Sequence, residues 1–484
     1  MPEHLDRLTA VDASFLAQER SGSHMHIGGI LIFEGPAPRR EELHDHIESR
    51  LHLVPRYRQR LAEPPLEAGR PLWIDDARFN LDYHVRDTAL PHPGSVEQLR
   101  LLAGRIFSQR LDRSKPLWEM WLVQGLDDGR FALVSKIHHC LVDGVAGVDL
   151  TGVLFDVGPV PTEIPPPERP WSPRPEPSAA ELVARGVADA VRAPFGLARG
   201  VAGAALRPAR AAEAAREAAE GLGEVAWRIV AGAPRTALNQ PCGPHRRVTW
   251  VRVPLTDLKW IKDALGGTVN DVFLTTISGA LARWLRTRGQ RTEGLELRGA
   301  VPVSVRTEHE QSQLGNRITI MVGPLPVYAD DPVVRHGIVV DAMAHLKESK
   351  QTLGAEVIAG LQDFAPPTLF AQASRLNFSP RVYNLLVTNV PGPQLPLYLL
   401  GRELHELVPV AFLAAEQTLA VAIMSYNGGV EVGLIGDYDA MPDLDLLAGF
   451  VEDTVAELLV AAGAAAPPAP APGGPARPRT RAGA

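Results

Sequence analysis

Two mixed α/β units in tandem, α+β in type and joined by a proline-rich connector, are the fold this sequence predicts. Three observations point there. The chain has 484 residues, 45% of them hydrophobic, which is more than a single core is expected to hold. Runs with a strand period of two and runs with a helical period alternate in both the first and the last third. Between them the composition changes abruptly at VGPVPTEIPPPERPWSPRPEP, which reads as an extended linker. The expected divisions are a first unit over 1–158, the linker with Ala/Arg-rich helices over 159–245, a second unit over 246–462 and a disordered tail over 463–484.

In the first unit, HIGGILIFEG reads as a strand broken at Gly35 and Pro36. REELHDHIESRLHLV places Leu43, Ile47, Leu51 and Val54 on one helical face, and VEQLRLLAGRIFSQRL does the same with Leu99, Leu102, Ile106 and Leu111. LWEMWLVQGL and FALVSKIHH are strand-like, and DDGR between them predicts a hairpin. In the second unit, RRVTWVRVPL, LRGAVPVSV, NRITIMVGPLPV and YNLLVTNVPGP read as strands. VNDVFLTTISGALARWLRTRG reads as a long helix ending at Gly289. TLAVAIMSYNGGVEVGLIGDYD is a hairpin turning at Asn427-Gly428, and LDLLAGFVEDTVAELLVAAG is a closing helix.

Composition narrows the function. A net charge of −7 gives no reason to expect a nucleic-acid partner. Two cysteines, Cys140 and Cys242, cannot form a disulfide framework and suit a reducing compartment. MPEHLDRLTA lacks the features of a signal peptide, and no run reaches the roughly 20 apolar residues of a membrane span. The expected location is therefore cytoplasmic, or peripheral on a membrane. Arg185, Arg192 and Arg199 recur every seven residues, either as a solvated helical face or as a face for anionic lipid headgroups.

The chemistry concentrates in SKIHHCLVDGVAG, Ser135 to Gly147. Strand alternation puts Phe131, Leu133, Ser135, Ile137 and His139 on one face, and Ala132, Val134, Lys136 and His138 on the other. Imidazoles that diverge do not share one metal ion, and no further ligand cluster completes a metal site. The pattern is a strand, two histidines, a tight turn and a helix. Asp143 falls near the helix start, where it caps N–H groups or pairs with an arginine, and Gly144 frees the turn. A neutral imidazole at a strand end suits general-base chemistry near neutral pH.

HHCLVDG matches the H-H-x-x-x-D-G signature of the CoA-dependent acyltransferase superfamily, which includes chloramphenicol acetyltransferase and peptide-synthetase condensation domains. Within it the chain resembles the bacterial wax ester synthase/diacylglycerol acyltransferase family. The resemblance runs from LTAVDASFL to GDYDAMPDLDLL. It includes, in order, PLW (Pro116, Leu117, Trp118), ND (Asn270, Asp271), GN (Gly315, Asn316) and NVPGP (Asn389 to Pro393). One departure is Lys115, where the family more often has arginine.

The resemblance implies two chloramphenicol-acetyltransferase-like domains with mixed sheets and a tunnel at their interface. It implies that His139 deprotonates an acceptor hydroxyl, which attacks the thioester of acyl-CoA, with no metal, cofactor or acyl-enzyme. The acceptor would be diacylglycerol, giving triacylglycerol, or a long-chain alcohol, giving a wax ester. His138 would support the strand end, Asp143 would pair with an arginine such as Arg306, and Gly144 would keep the turn open. Asn270 is the candidate oxyanion donor, although TVND is also a capping box in which Thr268 and Asp271 suffice. Pro116, Leu117 and Trp118 are expected to pack and shape the floor of the substrate pocket near the acceptor, Trp118 more as core than as a substrate contact, and Asn389, Pro391 and Gly392 to line the interface of the halves. Cys140 is expected to point away from His139. So apolar a substrate fits a peripheral site on the inner membrane face or on lipid inclusions. The competing expectations are an acyl donor on a carrier protein and a non-catalytic lipid-binding member.

Overall fold

A computed structural model of the chain describes residues 6–65, 69–141, 150–184, 232–304, 318–348 and 381–465. The first half contributes α1 (Ala10–Gln18), β1 (His26–Phe33), α2 (Arg40–Glu48), β2 (Gln59–Ala62), β3 (Leu72–Asp75), α3 (Leu81–His84), β4 (Val85–Ala89), α4 (Val96–Ser108), β5 (Trp118–Gln124), β6 (Phe131–His138) and α5 (Leu150–Leu154). The second half contributes β7 (Arg246–Pro254), α6 (Leu255–Leu265), α7 (Val269–Thr287), β8 (Leu297–Ser304), β9 (Ile318–Leu325) and α8 (Pro332–Glu348). It continues through β10 (Leu385–Pro391), β11 (Tyr398–Leu399), β12 (Arg402–Val410), β13 (Leu419–Tyr426), β14 (Gly429–Asp437) and α9 (Leu444–Ala465).

Two six-stranded sheets carry the fold, in the orders β11-β12-β1-β6-β5-β4 and β7-β14-β13-β10-β8-β9. Both are mixed. β4 and β5 run parallel in the first, and β10 runs parallel to β8 and β13 in the second. β11 and β12 cross the expected division of the chain. They belong by sequence to the second unit, yet β12 pairs antiparallel with β1, Gly28 opposite Val410. Period-two patterning marks a strand but not its partner, so this crossover is a tertiary choice.

Alternation along the strands sorts the side chains into three layers. On β13, Leu419, Val421 and Ile423 face the core under α7 and α9, while Ala420 and Ala422 face the layer between the sheets. On β6, Leu133 and Ile137 face the outer core of the first sheet, while Ala132 and Val134 face inward. Small inward residues let the sheets approach closely. A Cβ on Gly433 would stand 2.0 Å from the Pro409 carbonyl oxygen. Helix α4 lies in the shared layer through Leu99, Ala103, Ile106 and Phe107, at helical spacing. Its Gly104 abuts the backbone of Arg246 in the second half.

Local chemistry explains the ends of the elements. Ser95 and Gln98 form a capping box at the start of α4. The helix expected over REELHDHIESRLHLV stops at Glu48 and continues as a 3-10 turn at Leu51–Leu53. The β13–β14 hairpin turns with φ of 42° at Asn427 and 80° at Gly428, the left-handed pair that suits the twist of the strands. At α7, Thr268 accepts from the Asp271 N–H, and the Asp271 carboxylate accepts from the Thr268 N–H at 2.8 Å. Thr268→Ala is therefore expected to cost about 1 kcal/mol, read as a lower urea midpoint at unchanged activity.

The proline-rich connector carries no helix or strand over 157–177, and it is docked rather than free. Arg174 grips Asp75 with two 2.8 Å bonds, Glu176 meets Arg60 at 2.7 Å, and Leu182 packs on Ala62, Leu72 and Ile74. Arg185, Arg192 and Arg199 lie outside the described residues, as does most of the expected tail.

Candidate active site

Strand β6 ends at His138, and His139–Leu141 form a single 3-10 turn. The His139 N–H donates to the Met25 carbonyl at 2.9 Å, and Met25 itself sits at a left-handed φ of 51°. The His139 ring stacks on Phe15 of α1, with centroids 4.0 Å apart, and meets Phe412 edge-on at 5.6 Å. Phe412 follows β12, so both halves of the chain grip this one imidazole.

This placement corrects the alternation argument. The strand stops one residue before His139, so His139 does not share the Ile137 face. Its aromatic neighbours belong to the layer between the sheets, whereas Ile137 and Cys140 belong to the outer core. His139 keeps accessible surface although protein surrounds it, and its Nδ1 has no hydrogen-bond partner among the described residues. Burial pushes its pKa down to about 4, so the ring is neutral at pH 7.

His138 is 1% exposed and plays a different part. Its Nδ1 accepts the Cys140 N–H at 3.2 Å and lies 2.9 Å from the Cys140 sulfur. Its Nε2 lies 3.7 Å from a carboxylate oxygen of Glu19. That carboxylate is held by Arg113, whose Nε donates to it at 2.8 Å. Burial pushes the His138 pKa down to about 3, with Arg113 adding to the effect. Burial raises the Cys140 thiol well above its ordinary range, so it supplies no thiolate at neutral pH.

Asn270 and Asn389 come together from distant parts of the sequence. The Asn389 Nδ2 donates to the Asn270 Oδ1 at 3.3 Å, which joins the ND and NVPGP stretches. The capping box engages Thr268 and Asp271 and leaves the Asn270 side chain to this bond. Among the described residues, no hydrogen bond links Asn270 to His139. Pro391 ends β10, and Gly392 is needed where it stands. A Cβ there would lie 2.2 Å from the Ser425 carbonyl oxygen.

The PLW residues are core rather than pocket. Pro116 is buried, Leu117 is 0% and Trp118 2% exposed. Trp118 stacks on His84 at 4.6 Å and donates its Nε1–H to the Tyr57 carbonyl at 2.8 Å. What this stretch gives the site is backbone, since the Leu117 carbonyl accepts the His138 N–H at 3.0 Å. Lys115 stands over the Tyr83 ring. Asp143, Gly144, Arg306, Gly315 and Asn316 lie outside the described residues. Among the described residues, the grouping spaced to hold a metal ion is His44, Asp45 and Glu48 on α2, apart from these histidines in the chain. Phe15, Glu19, Arg113 and Phe412 were not singled out from the sequence. A phenylalanine in a helix and charges beside a loop carry no local mark of such roles.

Two facing mixed sheets with a histidine turn between them define a condensation-domain-like fold. A starter condensation domain of rhizomide synthetase matches with a TM-score of 0.57 at 13% identity over 95% of both chains. The first condensation domain of the CDA synthetase matches at 0.57 and 16%, over 95% of this chain and 97% of that one. At such identity the likeness is one of fold. Sequence goes further. The wax ester synthase/diacylglycerol acyltransferase catalytic domain matches residues 8–273, and the C-terminal domain of that family matches residues 314–459. The chain belongs to the wax ester synthase/diacylglycerol acyltransferase family. A putative diacylglycerol O-acyltransferase of Mycobacterium bovis is 32% identical over 94% of this chain and 96% of its own length. A probable diacylglycerol O-acyltransferase of Mycobacterium tuberculosis is 31% identical over 95% of this chain and 100% of its own. The wax ester synthase/diacylglycerol acyltransferase from Marinobacter aquaeolei VT8 matches in structure with a TM-score of 0.68 at 26% identity, over 95% and 100%. The protein is an acyltransferase, and its family supports acyl transfer to diacylglycerol or to an alcohol.

Proposed function

We propose that the protein transfers a long-chain acyl group from acyl-CoA to the hydroxyl of diacylglycerol or a long-chain alcohol, with His139 as general base. The observation that carries this reading is the neutral imidazole held between Phe15 and Phe412, where residues of both halves meet. His139 takes the proton of the acceptor hydroxyl as its oxygen attacks the thioester carbonyl. A new C–O bond forms and an oxyanion develops. The oxyanion collapses, the C–S bond breaks, and the CoA sulfur leaves with the proton from His139. No acyl-enzyme is required. Asn270 is the donor proposed for the oxyanion, a role whose removal typically costs about 10²–10³ in rate. Asp143 and Gly144 keep the supporting roles that the family resemblance implies, and Arg306 is the proposed partner of Asp143.

Both substrates partition into lipid, so the enzyme works at a membrane or lipid-inclusion surface. Among the described residues, no helix is long and apolar enough to cross a membrane. Palmitoyl-CoA with either dioleoylglycerol or hexadecanol, followed by thiol release and ester product, tests the reading and ranks the acceptors. Release with neither acceptor from folded protein would transfer the weight to a carrier-protein donor or to a binding role.

The depressed pKa of His139 sets the pH dependence. A general base works when unprotonated, so lowering its pKa from 6.5 to about 4 extends activity toward acid. The kcat/KM at pH 5.5 is expected to match that at pH 7.5 and to fall only as pH approaches 4. A pH–rate profile checks this, and an acid limb near 6.5 would contradict it.

A further inference from the structure

We propose that Glu19 and Arg113 are positioning residues: their ion pair acts with burial to keep His138 uncharged, and uncharged His138 holds the turn that aims His139. The proposal rests on the reading of His139 as the base.

The turn is the starting point. His138 Nδ1 accepts the Cys140 N–H, so Nδ1 carries no proton and the ring proton sits on Nε2. An imidazolium would carry N–H on both nitrogens, and its Nδ1–H would face the Cys140 N–H. The bond would be lost, and the His139–Leu141 turn would lose the side chain that closes it. The charge state of His138 therefore bears on the direction of its neighbour.

The surroundings of Nε2 would ordinarily favour that harmful proton, because a Glu19 oxygen lies 3.7 Å away and the Glu19 side chain is 5% exposed. Arg113 removes the incentive. Its guanidinium binds the Glu19 carboxylate through Nε and through a second nitrogen at 2.6 Å, and Arg110 adds a second positive charge at 3.9 Å. Other groups do not reverse the balance. The His26 ring meets His138 edge-on at 5.9 Å, and the Lys136 ammonium is paired with Glu119. Asp12 of α1 is engaged by Thr9, and the Cys140 thiol and His139 are neutral. Arg113 also donates to the Leu16 carbonyl at 2.9 Å, which latches the end of the helix that presents Phe15 to His139.

The test compares pH–rate profiles with a saturating acceptor. Arg113→Met leaves only Arg110 beside Glu19, so the acid limb of kcat should move up by about one to two pH units from its wild-type place near pH 4, as the His138 pKa rises from about 3 past that of His139. Activity should recover toward wild type at higher pH. Glu19→Gln should not move the limb upward, and Arg113→Met/Glu19→Gln should return it to the wild-type position. Asn at 138 offers an uncharged acceptor in place of Nδ1, so Arg113→Met/His138→Asn should also show no upward shift. Should Arg113→Met not fold, Arg113→Gln reads the same shift. A structural role alone would give pH-independent losses that worsen in the double variants. An unmoved limb in the Arg113 variant, or a double variant that stays shifted, overturns the proposal. If His139→Ala keeps wild-type activity, the base assignment itself fails. If it is inactive while the Arg113 limb stays put, only the present proposal does.

Discussion

His139→Ala is expected to lower kcat with palmitoyl-CoA and either acceptor by about 10²–10⁴-fold, the usual worth of a positioned general base. Because proton removal belongs to the transition state, kcat and kcat/KM should fall together while KM changes little. The substitution also empties the space between Phe15 and Phe412, so a modest drop in thermal midpoint is expected beside it. The activity loss should far exceed what that drop explains at 25 °C. His138→Ala should behave differently. It leaves the base present but poorly aimed, so its loss should be smaller. Steady-state kinetics of the two variants, beside their melting curves, separates the two roles.

Trp118→Ala should produce the largest stability change. The side chain is 2% exposed, stacked on His84 and bonded to the Tyr57 carbonyl. Truncating a buried tryptophan costs about 3–5 kcal/mol, and here it also leaves the Tyr57 carbonyl without this donor. A thermal midpoint lower by roughly 10 °C is expected, from about 2–4 °C per kcal/mol for a unit of this size. Kinetics below the transition should show KM near wild type. A raised KM at unchanged stability would instead place Trp118 against substrate.

Trp118 shows what a sequence can and cannot carry. Its strand, the β5–β6 hairpin and the Asn427-Gly428 turn follow from local patterning, because period, turn chemistry and pairing of adjacent strands are short-range. The Thr268 capping box was equally legible, since its partners are three residues apart. That Trp118 packs was expected, but its partners His84 and Tyr57 were not legible, because a motif identifies a residue without its surroundings. The face assigned to His139 was wrong for a local reason, in that β6 stops one residue earlier than alternation assumed. Phe412 failed for a global one. It reaches His139 only because β12 leaves its own half to pair with β1. Glu19 and Arg113 meet through the end of α1 and the loop after α4, a contact that no spacing rule connects. The ND and NVPGP stretches were visible singly, but the Asn270–Asn389 bond that joins them was not.

The most direct measurement follows the acyl group itself. Purified wild-type protein and His139→Ala would each receive [¹⁴C]palmitoyl-CoA with dioleoylglycerol or hexadecanol, and the lipids would be separated. Labelled triacylglycerol or wax ester from the wild type, with little or none from the variant and no label left on the protein, is the expected result. Equal ester formation by the two proteins, or label held covalently by the enzyme, would contradict direct transfer with His139 as the base.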